Sequence, residues 1–95
     1  MIQLFQAEWC PYSSAVRQRL TELGVDYVAR QVAPEAADRD GLREATGDDV
    51  IPALVLDDGT VLSGETREIV AALDERFAPH PWEEGHRRQA RLHDG

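Results

Sequence analysis

The chain has 95 residues, 42% of them apolar, and a formal net charge of -8 from 18 acidic side chains against 10 basic ones, all ten of which are arginine. That length builds one modest core and excludes two, and the apolar content arranged in periodic segments excludes a disordered chain. The acidic balance argues against nucleic acid and anionic membrane surfaces as partners, through like-charge repulsion.

Residues 2–6 alternate as a strand, with Ile2 and Leu4 on one face and Gln3 and Phe5 on the other. The spacing predicts a helix over 11–23 that puts Val16, Leu20 and Leu23 on one side; Pro11 suits its first turn and Gly24 its C-terminal end. A second strand follows over 26–32. Pro34 opens a second helix running to Thr46 and closed by Gly47. The apolar run Ala53-Leu54-Val55-Leu56 suits a central strand, Asp58-Gly59 marks a hairpin, and Thr60-Val61-Leu62 returns as a strand. Ser63-Gly64-Glu65-Thr66 opens a helix in which Ile69, Val70, Leu73 and Phe77 share a face. The order β-α-β-α-β-β-α makes the first two strands parallel, through a helical crossover, and the last two antiparallel. An α/β domain over 1–78 is expected, a mixed four-stranded sheet flanked by helices. From Pro79 the pattern breaks, and 79–95 reads as a short C-terminal tail in which 83–92 forms one more helix or frays.

Cys10 is the only cysteine, so oxidation must pair it with a group outside the chain. It stands just before the first helix, beside free backbone N–H groups and the positive end of the helix dipole, which favour thiolate over thiol. Two readings remain open for it: a reactive nucleophile, or a small buried apolar side chain. The start of the chain lacks the basic and apolar regions of a signal peptide, and no apolar run approaches the roughly 18 residues of a membrane span. A reduced, cytoplasmic setting without membrane contact is expected.

Three segments together resemble the active-site segments of glutaredoxins: Trp9-Cys10-Pro11-Tyr12-Ser13 after the first strand, Val50-Ile51-Pro52 before the third, and Ser63-Gly64-Glu65-Thr66 before the last helix. The resemblance covers residues 1 to about 78 in the same order and spacing. Glu65-Thr66 also resembles the Glu-Ser pair of the N-terminal domain of glutathione S-transferases. Both families have the thioredoxin-like fold and bind glutathione on the same face, so the resemblance implies that fold and that ligand here.

With Ser13 in place of a second cysteine, the site resembles a monothiol Cys-Pro-Tyr-Ser type, which implies that a second thiol must resolve any mixed disulfide on Cys10. Ser13 either donates a hydrogen bond to the thiolate or merely starts a helix. The resemblance implies a cis bond before Pro52, with the backbone of Ile51 pairing with the cysteinyl unit of glutathione; read alone, Pro52 is a proline at a strand start. It implies that Gly64, Glu65 and Thr66 receive the γ-glutamyl end, and that Tyr12 lines the site. Glutaredoxins usually carry a lysine where this chain has Ala7, and Glu8 beside it is expected to raise the thiol pKa. Asp48-Asp49 precede Val50, so the glycyl carboxylate falls to Arg39, which reads equally well as an ordinary exposed arginine. Arg17 is expected to pair with a surface carboxylate. Weaker glutathione affinity, or another preferred low-molecular-weight thiol, follows.

The activity so implied is that of a glutathione-dependent thiol–disulfide oxidoreductase acting on glutathionylated proteins, with Cys10 and Ser13 as its catalytic residues and glutathione as co-substrate. One alternative is a carrier of a [2Fe-2S] cluster, ligated by Cys10 from two copies and two glutathiones, although Pro11 and Tyr12 suit that poorly. A second is a glutathione-binding module without turnover; a full transferase, with its all-helical second domain, is not expected. With one cysteine, a metal site built from cysteines of one chain is excluded, and no metal is expected.

Overall fold

The computed structural model describes residues 1–93; Asp94 and Gly95, the end of the expected tail, lie outside the described residues. Strand β1 (Gln3–Gln6) runs parallel to β2 (Val28–Gln31) on one side and antiparallel to β3 (Ala53–Val55) on the other, and β3 carries β4 (Val61–Leu62), antiparallel, at the far edge. The order is therefore β2-β1-β3-β4. In register, Leu4 stands between Ala29 and Leu54, and Phe5 between Arg30 and Ala53.

The alternation along β1 splits the core in two. Ile2 and Leu4 join Val16, Leu20 and Leu23 around helix α1 (Pro11–Glu22) and Ile69 and Leu73 of helix α3 (Thr66–Arg76), with Leu54 and Leu56 completing that cluster. Phe5 faces the other way, onto Ala53 and Leu42 of helix α2 (Asp40–Thr46). Burying each of these large aliphatic side chains contributes about 1.5–3 kcal/mol. This is the thioredoxin-like arrangement that the resemblance implied.

Helix α1 ends as expected at Gly24, whose φ of 64° lies in the left-handed region. Its N–H donates to Thr21 O and that of Val25 to Leu20 O, the paired bonds of a Schellman motif. The Asp58-Gly59 hairpin also forms: Gly59 has φ 86°, and Asp58 accepts from the Thr60 N–H at 2.9 Å.

The second helix differs from its expectation. Residues 36–38 form a separate 3₁₀ turn and α2 begins only at Asp40, with Arg39 between them at ψ 57°. The carbonyls of Ala33 and Pro34 accept from the Arg39 guanidinium, and those of Ala36 and Ala37 from Arg43. Side chains thus take carbonyls that a continuous helix would satisfy with backbone N–H groups. Only Leu42 of α2 is buried, so little apolar burial opposes the break.

Past residue 79 the chain forms helix α4 (Glu83–His93), which packs on α1 although none of its residues is buried. It is held by charge. Arg19 of α1 pairs with Glu22 at 2.8 Å, with Asp74 of α3 at 2.7 Å and with Glu83 of α4, while Arg87 reaches Glu22 at 3.3 Å.

Because β3 runs against β1 and β4 against β3, the end of β1, the start of β3 and the end of β4 lie at the same end of the sheet's strands. The turn before α1, the approach to β3 and the start of α3 are all delivered there.

Candidate functional site

Cys10 is the N-cap of α1, in extended conformation (φ -81°, ψ 117°), with Pro11 at the first helical position. Its sulfur accepts from the Ser13 N–H at 3.4 Å, taking the role a serine or aspartate oxygen usually plays at a helix start. The turn is closed on itself. The Cys10 N–H donates to Ala7 O at 3.1 Å, and the Ala7 N–H donates to the buried Ser13 Oγ at 3.4 Å.

Cys10 is only 5% exposed, and burial by itself pushes its thiol up. The Ser13 hydroxyl, the N–H groups of Ser13 and Tyr12, and the charge of Arg17 outweigh it, and the thiol lies below its ordinary value. The expected upward push from Glu8 therefore does not prevail: Arg17 pairs with Glu8 at 3.4 Å. Arg17 does meet a surface carboxylate, as expected, but it also donates to Gln6 Oε1 and, at 3.4 Å, to Ala7 O.

The second and third segments face each other across an open cleft of about 650 Å³. Its lining is Tyr12 from α1, Val50, Ile51 and Pro52, then Gly64, Glu65, Thr66 and Arg67. The Ile51–Pro52 peptide bond is cis. Gly64 has φ 102°, which places Glu65 as the N-cap of α3 in extended conformation (φ -69°, ψ 141°). The first intrahelical donors of α3 are Glu68 and Ile69, both to Glu65 O, so the N–H groups of Thr66 and Arg67 remain available at the helix start. Glu65 and Arg67, both exposed, pair at 3.0 Å.

Six of the nine residues singled out in the sequence thus line one cleft: Tyr12, Ile51, Pro52, Gly64, Glu65 and Thr66. Cys10 and Ser13 are buried and outside its lining; Tyr12, 63% exposed, carries the start of α1 to its rim. Arg39 is not brought there. Its guanidinium donates to three backbone carbonyls, Ala33 at 2.8 Å, Asp49 at 2.9 Å and Pro34 at 3.0 Å, and so ties the loop after β2 to the approach to β3.

Sequence reading named Val50 only as part of the second segment, and it missed Arg67 in the lining and Gln6 and the full set of Arg17 contacts beside the thiol turn. Arg67 directly follows the third segment. Arg17 lies seven residues beyond Cys10, two helical turns along the same face, a spacing that marks it as a neighbour. Gln6, a polar residue ending an apolar strand, gave no such signal.

Among the described residues no group of three or more His, Cys, Asp or Glu side chains is placed to hold a metal ion, and no helix is long and apolar enough to cross a membrane.

A family model, the N-terminal domain of glutathione S-transferase, matches residues 4–81. No curated protein matches the chain. Among solved structures, a glutathione transferase family member from Pseudomonas fluorescens Pf-5 with bound glutathione is 32% identical, with a TM-score of 0.64 over 85% of this chain and 40% of that one. A glutathione S-transferase from Methylobacillus flagellatus KT with glutathione bound is 31% identical, with a TM-score of 0.60 over 82% of this chain and 38% of that one. A diazinon-metabolizing glutathione S-transferase of the silkworm Bombyx mori is 26% identical, with a TM-score of 0.70 over 85% and 40%. The chain spans about two fifths of the length of these relatives.

Proposed function

The chain belongs to the glutathione S-transferase N-terminal domain family, and from that premise we propose that it is a glutathione-dependent thiol–disulfide oxidoreductase working through Cys10 alone. The observation that carries this reading is the state of Cys10: a thiol at a helix N-terminus, shifted toward the thiolate despite its burial, beside a cleft that joins three segments. The bond from the Ser13 N–H also caps the helix, but the Ser13 hydroxyl and the charge of Arg17 act on the ionisation of the thiol.

In the proposed cycle the Cys10 thiolate attacks the glutathione sulfur of a protein–glutathione mixed disulfide. A new disulfide forms between Cys10 and glutathione, the old bond breaks, and the protein leaves as its thiolate, which takes a proton from water. The thiolate of a second glutathione then attacks the glutathione sulfur held on Cys10, yielding oxidised glutathione and restoring the Cys10 thiolate. Ser13 steadies that anion in both steps. The Ile51 backbone and Pro52 hold the cysteinyl unit, Gly64, Glu65 and Thr66 hold the γ-glutamyl end at the start of α3, and Tyr12 covers the ligand. Arg39, committed to three carbonyls, acts on the cleft only by bracing its approach. With Asp48 and Asp49 beside Val50, the glycyl carboxylate meets no welcome at that end, and affinity for glutathione is modest or another small thiol is preferred. Trp9, 67% exposed next to Cys10, offers the surface for the protein half of the substrate. The cycle belongs to residues 1–78, with 79–95 as an appended segment, in a reduced cytoplasmic setting.

Intact mass after incubation with oxidised glutathione tests the reading. The wild type gains one glutathionyl group, loses it on addition of reduced glutathione, and Cys10→Ser gains none. A folded wild type with a free thiol and no adduct overturns it.

A second reading is favoured by the family match itself: a domain that binds glutathione and does not turn over. It predicts saturable binding with no catalysis of deglutathionylation.

A further inference from the structure

Arg17 makes contacts with three consecutive residues of the segment that leads from β1 to the thiol. It donates to Gln6 Oε1 and to Ala7 O, and pairs with Glu8 at 3.4 Å. These contacts differ in kind. Glu8 has a side chain 78% exposed, free to swing into solvent, and such pairs hold a geometry weakly. Gln6 is 1% exposed and cannot leave. On its other side Gln6 Nε2 donates to Gln31 Oε1 at 3.2 Å across the β1–β2 pair, and the guanidinium, which only donates, sets the amide orientation. A flipped amide would set its NH₂ against the guanidinium, donor against donor.

We propose that Gln6 and Arg17 are a positioning pair for the Cys10 thiolate, in which buried Gln6 fixes where the guanidinium charge stands. The pair acts through the turn as well as through charge, since Ala7 O, which receives Arg17, is the same carbonyl that receives the Cys10 N–H. The other charged groups near the thiol do not supply this. Glu8 is of the wrong sign, and across the cleft Glu65 and Arg67 are paired with each other. Cys10 thus draws on one cation, and a strand residue holds it.

This inference rests on the reading of Cys10 as a working thiolate, and its test needs no glutathione. The rate of alkylation of Cys10 by iodoacetamide is followed against pH in the full chain, with folding checked by circular dichroism. Arg17→Gln moves the midpoint of the profile upward and slows alkylation at pH 7 by about two- to tenfold. Arg17→Lys recovers part of that loss, because the charge remains while the planar, fixed N–H directions of the guanidinium are gone. Gln6→Leu moves the midpoint in the same direction by less. In the Arg17→Gln background Gln6→Leu adds nothing, the signature of a residue acting through another. A profile unchanged by Arg17→Gln overturns the proposal, and so does a Gln6→Leu shift that persists undiminished in the double variant. Should Gln6→Leu fail to fold, Gln6→Met, which keeps the length of the side chain without its amide, takes its place in the same single and double variants. Should the profiles behave as stated while no glutathionyl adduct forms, the positioning pair stands and the glutathione reading falls.

Discussion

Around Cys10, burial works against ionisation and local hydrogen bonding works for it, and the second prevails. Ser13 is the hinge of that balance. Its N–H and hydroxyl favour the thiolate, while its Oγ accepts the buried Ala7 N–H and holds the preceding turn shut. Replacing Ser13 with Ala is therefore expected to do two things at once. The alkylation midpoint of Cys10 rises, so the thiol reacts more slowly at pH 7. Stability falls by about 1–3 kcal/mol in urea denaturation, because a buried N–H loses its acceptor. A variant with an unchanged pH profile and full stability would show that Ser13 only starts a helix. The sequence placed Cys10 and Ser13 because a Cys-Pro pair at a strand-to-helix junction has few geometries open to it. It did not reveal how Arg17 is used, since a solvated arginine and a held one look alike until the partner strand is in place.

The elements follow the same logic of burial and satisfaction. Strands β1 and β3 and helices α1 and α3 were legible because Leu4, Leu54, Val16, Leu20, Ile69 and Leu73 repeat at the periods that one buried face demands. The break at Arg39 was hidden, as it depends on which carbonyls two arginine side chains reach. Helix α4 was legible only as one of two alternatives for 83–92 for a related reason: it contributes no buried residue, so no apolar stripe decided for it. Its attachment centres on Glu22, 5% exposed. Burial there pushes the carboxyl up, but the hydrogen bonds and charges of Arg19 and Arg87 prevail and hold it below the usual carboxylate range. A carboxyl lowered in the folded state stabilises the fold at pH values above its unfolded pKa of about 4.3, and that contribution is lost as pH falls through the lower folded value. Glu22→Gln is expected to cost about 1–3 kcal/mol at pH 7, and the gap to the wild type closes as the medium is acidified below about pH 4. A gap that stays constant into acid would remove Glu22 from the clasp.

On the scale of the whole molecule, the sheet order β2-β1-β3-β4 explains why segments far apart in sequence serve one cleft. Two antiparallel steps turn the approach to β3 and the exit from β4 toward the end of β1, where the thiol turn lies. The chain carries this arrangement in about two fifths of the length of the three relatives compared, two of which have glutathione bound. The proposed cycle requires that this arrangement turn over by way of a single thiol. Steady-state release of protein thiol from a glutathionylated peptide, with reduced glutathione as the reductant, tests it most directly. The wild type is expected to catalyse the release, Cys10→Ser to lose catalysis, and Ser13→Ala to turn over more slowly. A folded wild type with its thiol free and no rate above the uncatalysed exchange would contradict it.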